Sequence, residues 1–316
     1  MREGIKKIVI KTTSLPIVKN ASNIAKELKL PGFNGLPLFD VGVFFFRRCK
    51  EGELQIRARS LAFSFFLAMF PAIIFLFTLI PYIPLEHFQD TLLNLIQTFL
   101  PSSTYETARS TIEDIIHHQR SGLLSFGFLF ALFISAEGVF ALMKWFNKSF
   151  HGKIIRSGFK QRLVAVLLTL CIASLIILSI ALIISSEFLS YYLQQKSLLN
   201  SSFNIALLQT GKYLILLALC ITAISLLYFA GSSHRTKIRF ITAGSSLATL
   251  LVILTSIAFN FYITHFSQYN KIYGSIGTLM IILIWLYINS LVLLIGFELN
   301  VAIDRAKRHR GGVIKV

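Results

Sequence analysis

Residues Tyr273–Asn300 read YGSIGTLMIILIWLYINSLVLLIGFELN. Two glycines, Gly274 and Gly277, open the stretch, and Gly296, Glu298 and Asn300 close it. Between Ile276 and Phe297 lie 22 residues without a charge. As a helix rising 1.5 Å per residue this run is about 33 Å long, enough to cross a hydrocarbon core of roughly 30 Å. The chain is therefore read as a membrane protein.

Composition agrees. Of 316 residues, 55% are hydrophobic and only 14% charged, too little polar surface for a water-soluble globule of this size. Cys49, Cys171 and Cys220 have neither paired nor metal-ligand spacing, so they predict no disulfide framework and no zinc site.

Five more stretches are long and apolar enough to span. With residues 276–297 they give six predicted transmembrane helices, at about 61–80, 122–142, 163–186, 213–230 and 240–263. The fold class is all-α, a polytopic six-helix bundle occupying residues 58–303. Residues 1–57 form a basic N-terminal segment and 304–316 a basic tail. Within the N-terminal segment, Leu36–Lys50 (LPLFDVGVFFFRRCK) is too short to span. It reads as an elbow on the membrane surface, aromatics in the acyl boundary and Arg47, Arg48 and Lys50 among head groups; a loop packed on the helix ends is the alternative.

Residues 82–121 form the longest predicted loop outside the membrane. Apolar stripes at Phe88, Leu92, Leu95, Ile96 and Phe99, and at Tyr105, Ala108, Ile112, Ile115 and Ile116, predict two amphipathic helices. Pro101 separates them, and Ser103 with Glu106 has capping-box spacing.

Orientation follows from charge. Of the 31 lysines and arginines, 26 fall in the two termini and the loops on their side, and 5 in the alternate loops. The positive-inside rule then puts both termini in the cytoplasm. The same asymmetry explains the formal charge of +17 through insertion and anionic head groups, with no nucleic-acid partner.

Polar residues inside spans are costly and mark candidate sites. Glu137 in the second span needs a cation, from Lys144 or from an arginine on another helix, or a water-filled cavity. Pro71, in the first span, removes a backbone hydrogen bond and marks a kink or a gate. Thr242, Ser245, Thr249, Ser256 and Asn260 share one face of the fifth span, a close-packing stripe or a polar path.

Three segments together carry a resemblance: RARSLAFSFFLAMFPAI at the first span, SAEGVFALMKWFNKSF at the second, and YGSIGTLMIILIWLY with GFELN at the sixth. Across residues 40–305 the chain resembles the YihY/BrkB family of bacterial inner-membrane proteins. The resemblance implies a six-helix protein linked with envelope integrity, serum resistance and lipid export. The residues matching the family pattern are Asn147, Tyr273, Gly274, Gly277, Gly296, Glu298 and Asn300. An old ribonuclease label attaches to the family, with no catalytic residues to carry over. The seven histidines here lie on both sides of the membrane with no ligand spacing, and there is no phosphate-binding loop, so neither a nuclease nor an ATP-driven pump is expected. Neither cofactor nor metal is expected.

Two functions fit. One is a transporter or lipid translocase in which Glu137 and Glu298, with Asn147, Asn300, Arg57 and Arg59, form one mixed-sign cluster at the cytoplasmic ends of the first, second and sixth spans. Tyr273, Gly274 and Gly277 would supply a broken helix entry beside the path, and Gly296 a close helix contact. The other is a non-transporting scaffold for envelope assembly.

Overall fold

A computed structural model describes residues 28, 32–33, 35–51, 53–79, 127–149, 157–195, 202–233, 240–266 and 275–310. Among these are seven helices: α1 (Leu38–Glu51), α2 (Leu54–Leu79), α3 (Gly127–Ser149), α4 (Gly158–Gln195), α5 (Ser202–Gly231), α6 (Ala243–Phe266) and α7 (Ser275–Arg310). Six of them, α2 to α7, are long and apolar enough to cross a membrane, as the hydropathy pattern predicts. The amphipathic helices expected within residues 82–121, and Tyr273 and Gly274, lie outside the described residues.

The bundle closes on itself. α2 packs between α3 and α7, and α4, α5 and α6 complete the circuit from α3 back to α7. Large apolar side chains such as Phe63, Leu67, Leu163, Leu167, Leu254 and Ile257 point outward, where lipid makes their exposure costless. Small groups sit inside: a Cβ on Gly138 of α3 would come within 2.7 Å of Phe65 on α2, so only glycine permits this approach. Hydroxyls within the spans are absorbed locally. Thr169, Ser179 and Thr222 each donate to the carbonyl four residues earlier, at 2.9, 2.8 and 2.7 Å. Pro71 lies inside α2, which remains one helix through it. Gly277 lies inside α7 and is buried, so of the expected broken entry the described part, 275–277, is helical. Cys171 is exposed on α4, and Cys49 and Cys220 are half-buried.

The elbow needs correction. Residues 38–51 are a helix, but one that straps across the end of the bundle, with Phe33, Leu36 and Val41 buried against Leu299, Ile303 and Ala306 of α7. Gly32 begins the strap with φ +89°, and a Cβ there would lie 3.2 Å from the Cβ of Ala243 at the start of α6. Arg48 is not among head groups. It shares a face with Val41 and Phe45 at helical spacing, and that face turns inward. Phe46, 73% exposed, and Val43 occupy the outer face. α7 in turn runs on as a helix to Arg310, because Ile303 and Ala306 are buried beneath the strap. The strap, the start of α2, the end of α3 and the distal turns of α7 thus meet at one end, called here the basic end.

Candidate functional site

The site at the basic end is built from α7 outward. A Cβ on Gly296 would lie 2.6 Å from the carbonyl of Gly244, 2.6 Å from the Tyr228 hydroxyl and 2.7 Å from the Ala248 Cβ. Glycine at 296 and 244 therefore lets the α6 and α7 backbones touch. Four residues on, Asn300 secures the contact: its Oδ1 accepts the Gly244 amide at 2.9 Å and its Nδ2 donates to Thr242 Oγ1 at 2.9 Å. Thr242 and Ser245 close the cap, each side chain accepting the other's backbone N–H, at 3.1 and 3.0 Å.

Between Gly296 and Asn300 the ring of Phe297 stacks on Phe146 of α3, centroids 3.9 Å apart, and Tyr228 of α5 stands edge-on to both. The Tyr228 hydroxyl donates to the Leu293 carbonyl at 2.6 Å. This aromatic plug brings four elements to one carboxylate. Glu298, 1% exposed, accepts from Arg48 Nε of the strap at 2.9 Å, Arg57 of α2 at 3.1 Å and the Ser149 hydroxyl of α3 at 2.7 Å. Arg48 also donates to the Ser149 carbonyl at 2.6 Å, capping the end of α3. Arg57 donates to the Ser149 hydroxyl at 3.1 Å and lies 5.7 Å from the Trp145 ring centre. Its Nε is buried with no hydrogen-bond partner. Two guanidiniums face one carboxylate, leaving one positive charge in excess. Beside them Cys49 of the strap has its thiol pushed up to about 11, by burial first and by the Glu298 carboxylate second, against the pull of Arg48.

The cluster expected from sequence divides here. Arg57 and Glu298 meet, but Arg59, two residues along α2, is exposed because a 200° turn of the helix carries it away from α7. Asn147 and Asn300 lie near the cluster yet serve chain ends: Asn147 Oδ1 accepts the Ser233 amide beyond α5 at 2.8 Å, while its Nδ2 is buried unpartnered. Glu137 stands apart. It is 12 residues before Ser149 on α3, about 18 Å along the axis, and pairs with Arg162 of α4. Three participants were missed. Arg48 was assigned to head groups, although the inward face of the elbow was a readable signal for it, and Arg162 is the arginine on another helix that Glu137 was expected to need but that went unnamed. Ser149 carries no sequence signal. Among the described residues, no three of His, Cys, Asp and Glu come together as metal ligands.

Residues 45–313 match the model of the family described as virulence factor BrkB. Among similar proteins, YfkH of Bacillus subtilis (strain 168), named as ribonuclease-like, is 28% identical over 267 residues, covering 83% of this chain and 94% of its own. A UPF0761 membrane protein of Alteromonas mediterranea is 25% identical over 297 residues, 90% of this chain and 91% of that one. Another, from Haemophilus influenzae (strain 86-028NP), is 23% identical over 270 residues, 85% and 97% of the two chains. No solved structure matches significantly. With 269 of its residues inside the family match and six candidate spans in place, the chain is an integral membrane protein that belongs to the virulence factor BrkB family.

Proposed function

We propose that this protein is a transporter or lipid translocase of the bacterial cytoplasmic membrane, with both termini in the cytoplasm, and that the Glu298 cluster is its closed inner gate. Its cargo is an anionic or zwitterionic amphiphile. It is neither a nuclease nor any other enzyme, and its partners are lipid head groups rather than nucleic acid.

The observation that carries this reading is the buried ionic lock itself. Burying three charges is expensive, and apolar residues of like volume would hold four helices together at least as well. A lock of this kind suits a contact that must break and re-form. Its spare positive charge suits a phosphate: when the strap lifts, Arg48 and Arg57 exchange Glu298 for the cargo's anionic group without leaving a guanidinium bare. Exposed Arg47, Lys50, Arg59, Lys148 and Lys307 surround this end and concentrate anionic lipid there. A groove of about 320 Å³ between α6 and α7, lined by Thr255, Ala258, Phe259, Tyr262, Ile284 and Ile288, offers an apolar wall for a chain.

The experiment is movement of a fluorescent phospholipid across proteoliposome bilayers. The wild type and Arg59→Gln are expected to move it, and Glu298→Gln and Arg48→Gln to move it at the rate of empty vesicles while still purifying as monodisperse protein. Wild-type vesicles no faster than empty ones would overturn the proposal. The second reading, a non-transporting scaffold, is favoured by the tight Gly244–Gly296 crossing and the stacked Phe146–Phe297 pair, which suit a rigid bundle.

A further inference from the structure

On the flank of the bundle, away from Glu298, Glu137 of α3 and Arg162 of α4 form their own ion pair. The Glu137 side chain is 44% exposed and that of Arg162 21%. The guanidinium lies 4.2 Å from the Phe133 ring centre and 4.9 Å from that of Phe140, and Lys144 Nζ sits 4.3 Å from Phe140 on the same face of α3. Arg162 Nε is buried without a hydrogen-bond partner, while its Nη1 meets Glu137 and its Nη2 lies 3.5 Å from the Phe133 carbonyl oxygen.

The depth of this trio follows from α4. Its uncharged stretch, 163–186, is 24 residues and about 36 Å long, so it fills the hydrocarbon core and leaves Arg162 at the edge nearer the basic end. Outward from the pair, toward the other leaflet, α3 exposes Phe133 and Leu129, and α4 exposes Leu163 and Leu167. A half-exposed carboxylate and two cations therefore share one flank at head-group height, with the exposed apolar side chains Phe133 and Leu129 of α3 running deeper from them.

We infer that this surface binds a phospholipid carrying a phosphoethanolamine head group, from the leaflet at the basic end. The phosphate lies between Arg162 and Lys144, the primary ammonium donates to the Glu137 carboxylate, and the acyl chains lie along Phe133 and Leu129. The phosphate then gives Lys144, seated on the Phe140 ring, an anion, and the ammonium gives the half-exposed Glu137 carboxylate a second cation beside Arg162. A head group with only negative charge satisfies the cations but is repelled by Glu137. A trimethylated ammonium fits the charge but has no N–H to donate. The inference is independent of whether the chain moves lipid.

The test is native mass spectrometry of the full chain released from detergent, titrated with phosphatidylethanolamine, phosphatidylcholine or phosphatidylglycerol. Wild type is expected to retain phosphatidylethanolamine in preference to the other two. Glu137→Gln should weaken it about tenfold, the worth of one charge-assisted hydrogen bond, while leaving phosphatidylglycerol equal or tighter. Lys144→Gln, outside the ion pair, should weaken every phosphate lipid with the melting temperature unchanged, which keeps the test open if Glu137→Gln folds poorly. Equal retention of all three lipids by wild type, or unaltered phosphatidylethanolamine binding in Lys144→Gln, would overturn the inference.

Discussion

Phe297 of α7 lies flat on Phe146 of α3, centroids 3.9 Å apart and planes 15° from parallel, directly before the carboxylate of Glu298. The pair sets how closely α3 and α7 approach beneath the ionic cluster. Phe297→Ala opens a cavity among fully buried rings and is expected to cost about 3–5 kcal/mol. Phe297→Leu, closer in volume, should cost well under half as much. Thermal melts in one detergent would check both; equal losses would mean that volume at this site is unimportant.

Glu298→Gln leaves Arg48 and Arg57 facing each other without a counter-charge in a buried site. The expected loss is about 3–5 kcal/mol. Replacing Arg48, Arg57 and Glu298 together with apolar residues of similar size should recover most of it, because the desolvation cost disappears with the charges. A melting temperature for Glu298→Gln within a degree of wild type would contradict the buried lock.

Gly296→Ala forces a methyl group against the Gly244 carbonyl and the Tyr228 hydroxyl. About 1–3 kcal/mol of overpacking is expected. Gly211→Ala on α5, where nothing lies within 4 Å of the added Cβ, is the control and should be neutral or slightly stabilising. If the two variants melt alike, the α6–α7 crossing is looser than described.

Burial raises the Cys49 thiol from 9.0 to about 11. The folded protein thus holds this proton more tightly than the unfolded chain. That contribution to stability is complete below pH 9 and is lost as pH rises through about 11. Wild type should lose melting temperature over this window more steeply than Cys49→Ala. At pH 7.5 alkylation of Cys49 should also be roughly a hundredfold slower than in unfolded chain, following thiolate fraction. Parallel pH profiles for the two proteins would refute this.

Tags fused at the N- and C-termini should both report from the cytoplasm in intact cells. Detection of either on the outer face would reverse the orientation drawn from the charge asymmetry.

Much of the fold was legible because a bilayer leaves few options. An uncharged run of 22 residues, 276–297, has to span, and it does so within α7. The helix ends were harder. α4 and α7 continue as helices past the apolar runs because length in a helix is limited by capping and packing rather than by hydropathy. Glu298 with Arg57 was legible as opposite charges at one level of the bundle. Arg48 was not: surface cations and inward ones look alike until the Val41–Phe45–Arg48 face is given a helix to rest on. Glu137 was legible as a group needing a cation, but which arginine answers it depends on how α3 and α4 cross, and no single helix pattern encodes that. Asn147 and Asn300 were placed in the mixed-sign path cluster; in the structure they hold the ends of α5 and α6, tasks defined by distant backbone.

The ion pair between Arg57 and Glu298 joins residues 241 positions apart, the first and last membrane crossings of the chain. A ribosome working at roughly 5–20 residues per second takes about 12 to 48 s to travel that distance. Throughout that interval Arg57 lacks Glu298 and has only the exposed carboxylate of Glu53 near it, and hydrocarbon is closed to it. The first crossing must therefore be held beside the insertion machinery or chaperoned at the surface until translation is nearly finished. Truncated chains ending before Glu298 are expected to be cleared by proteolysis.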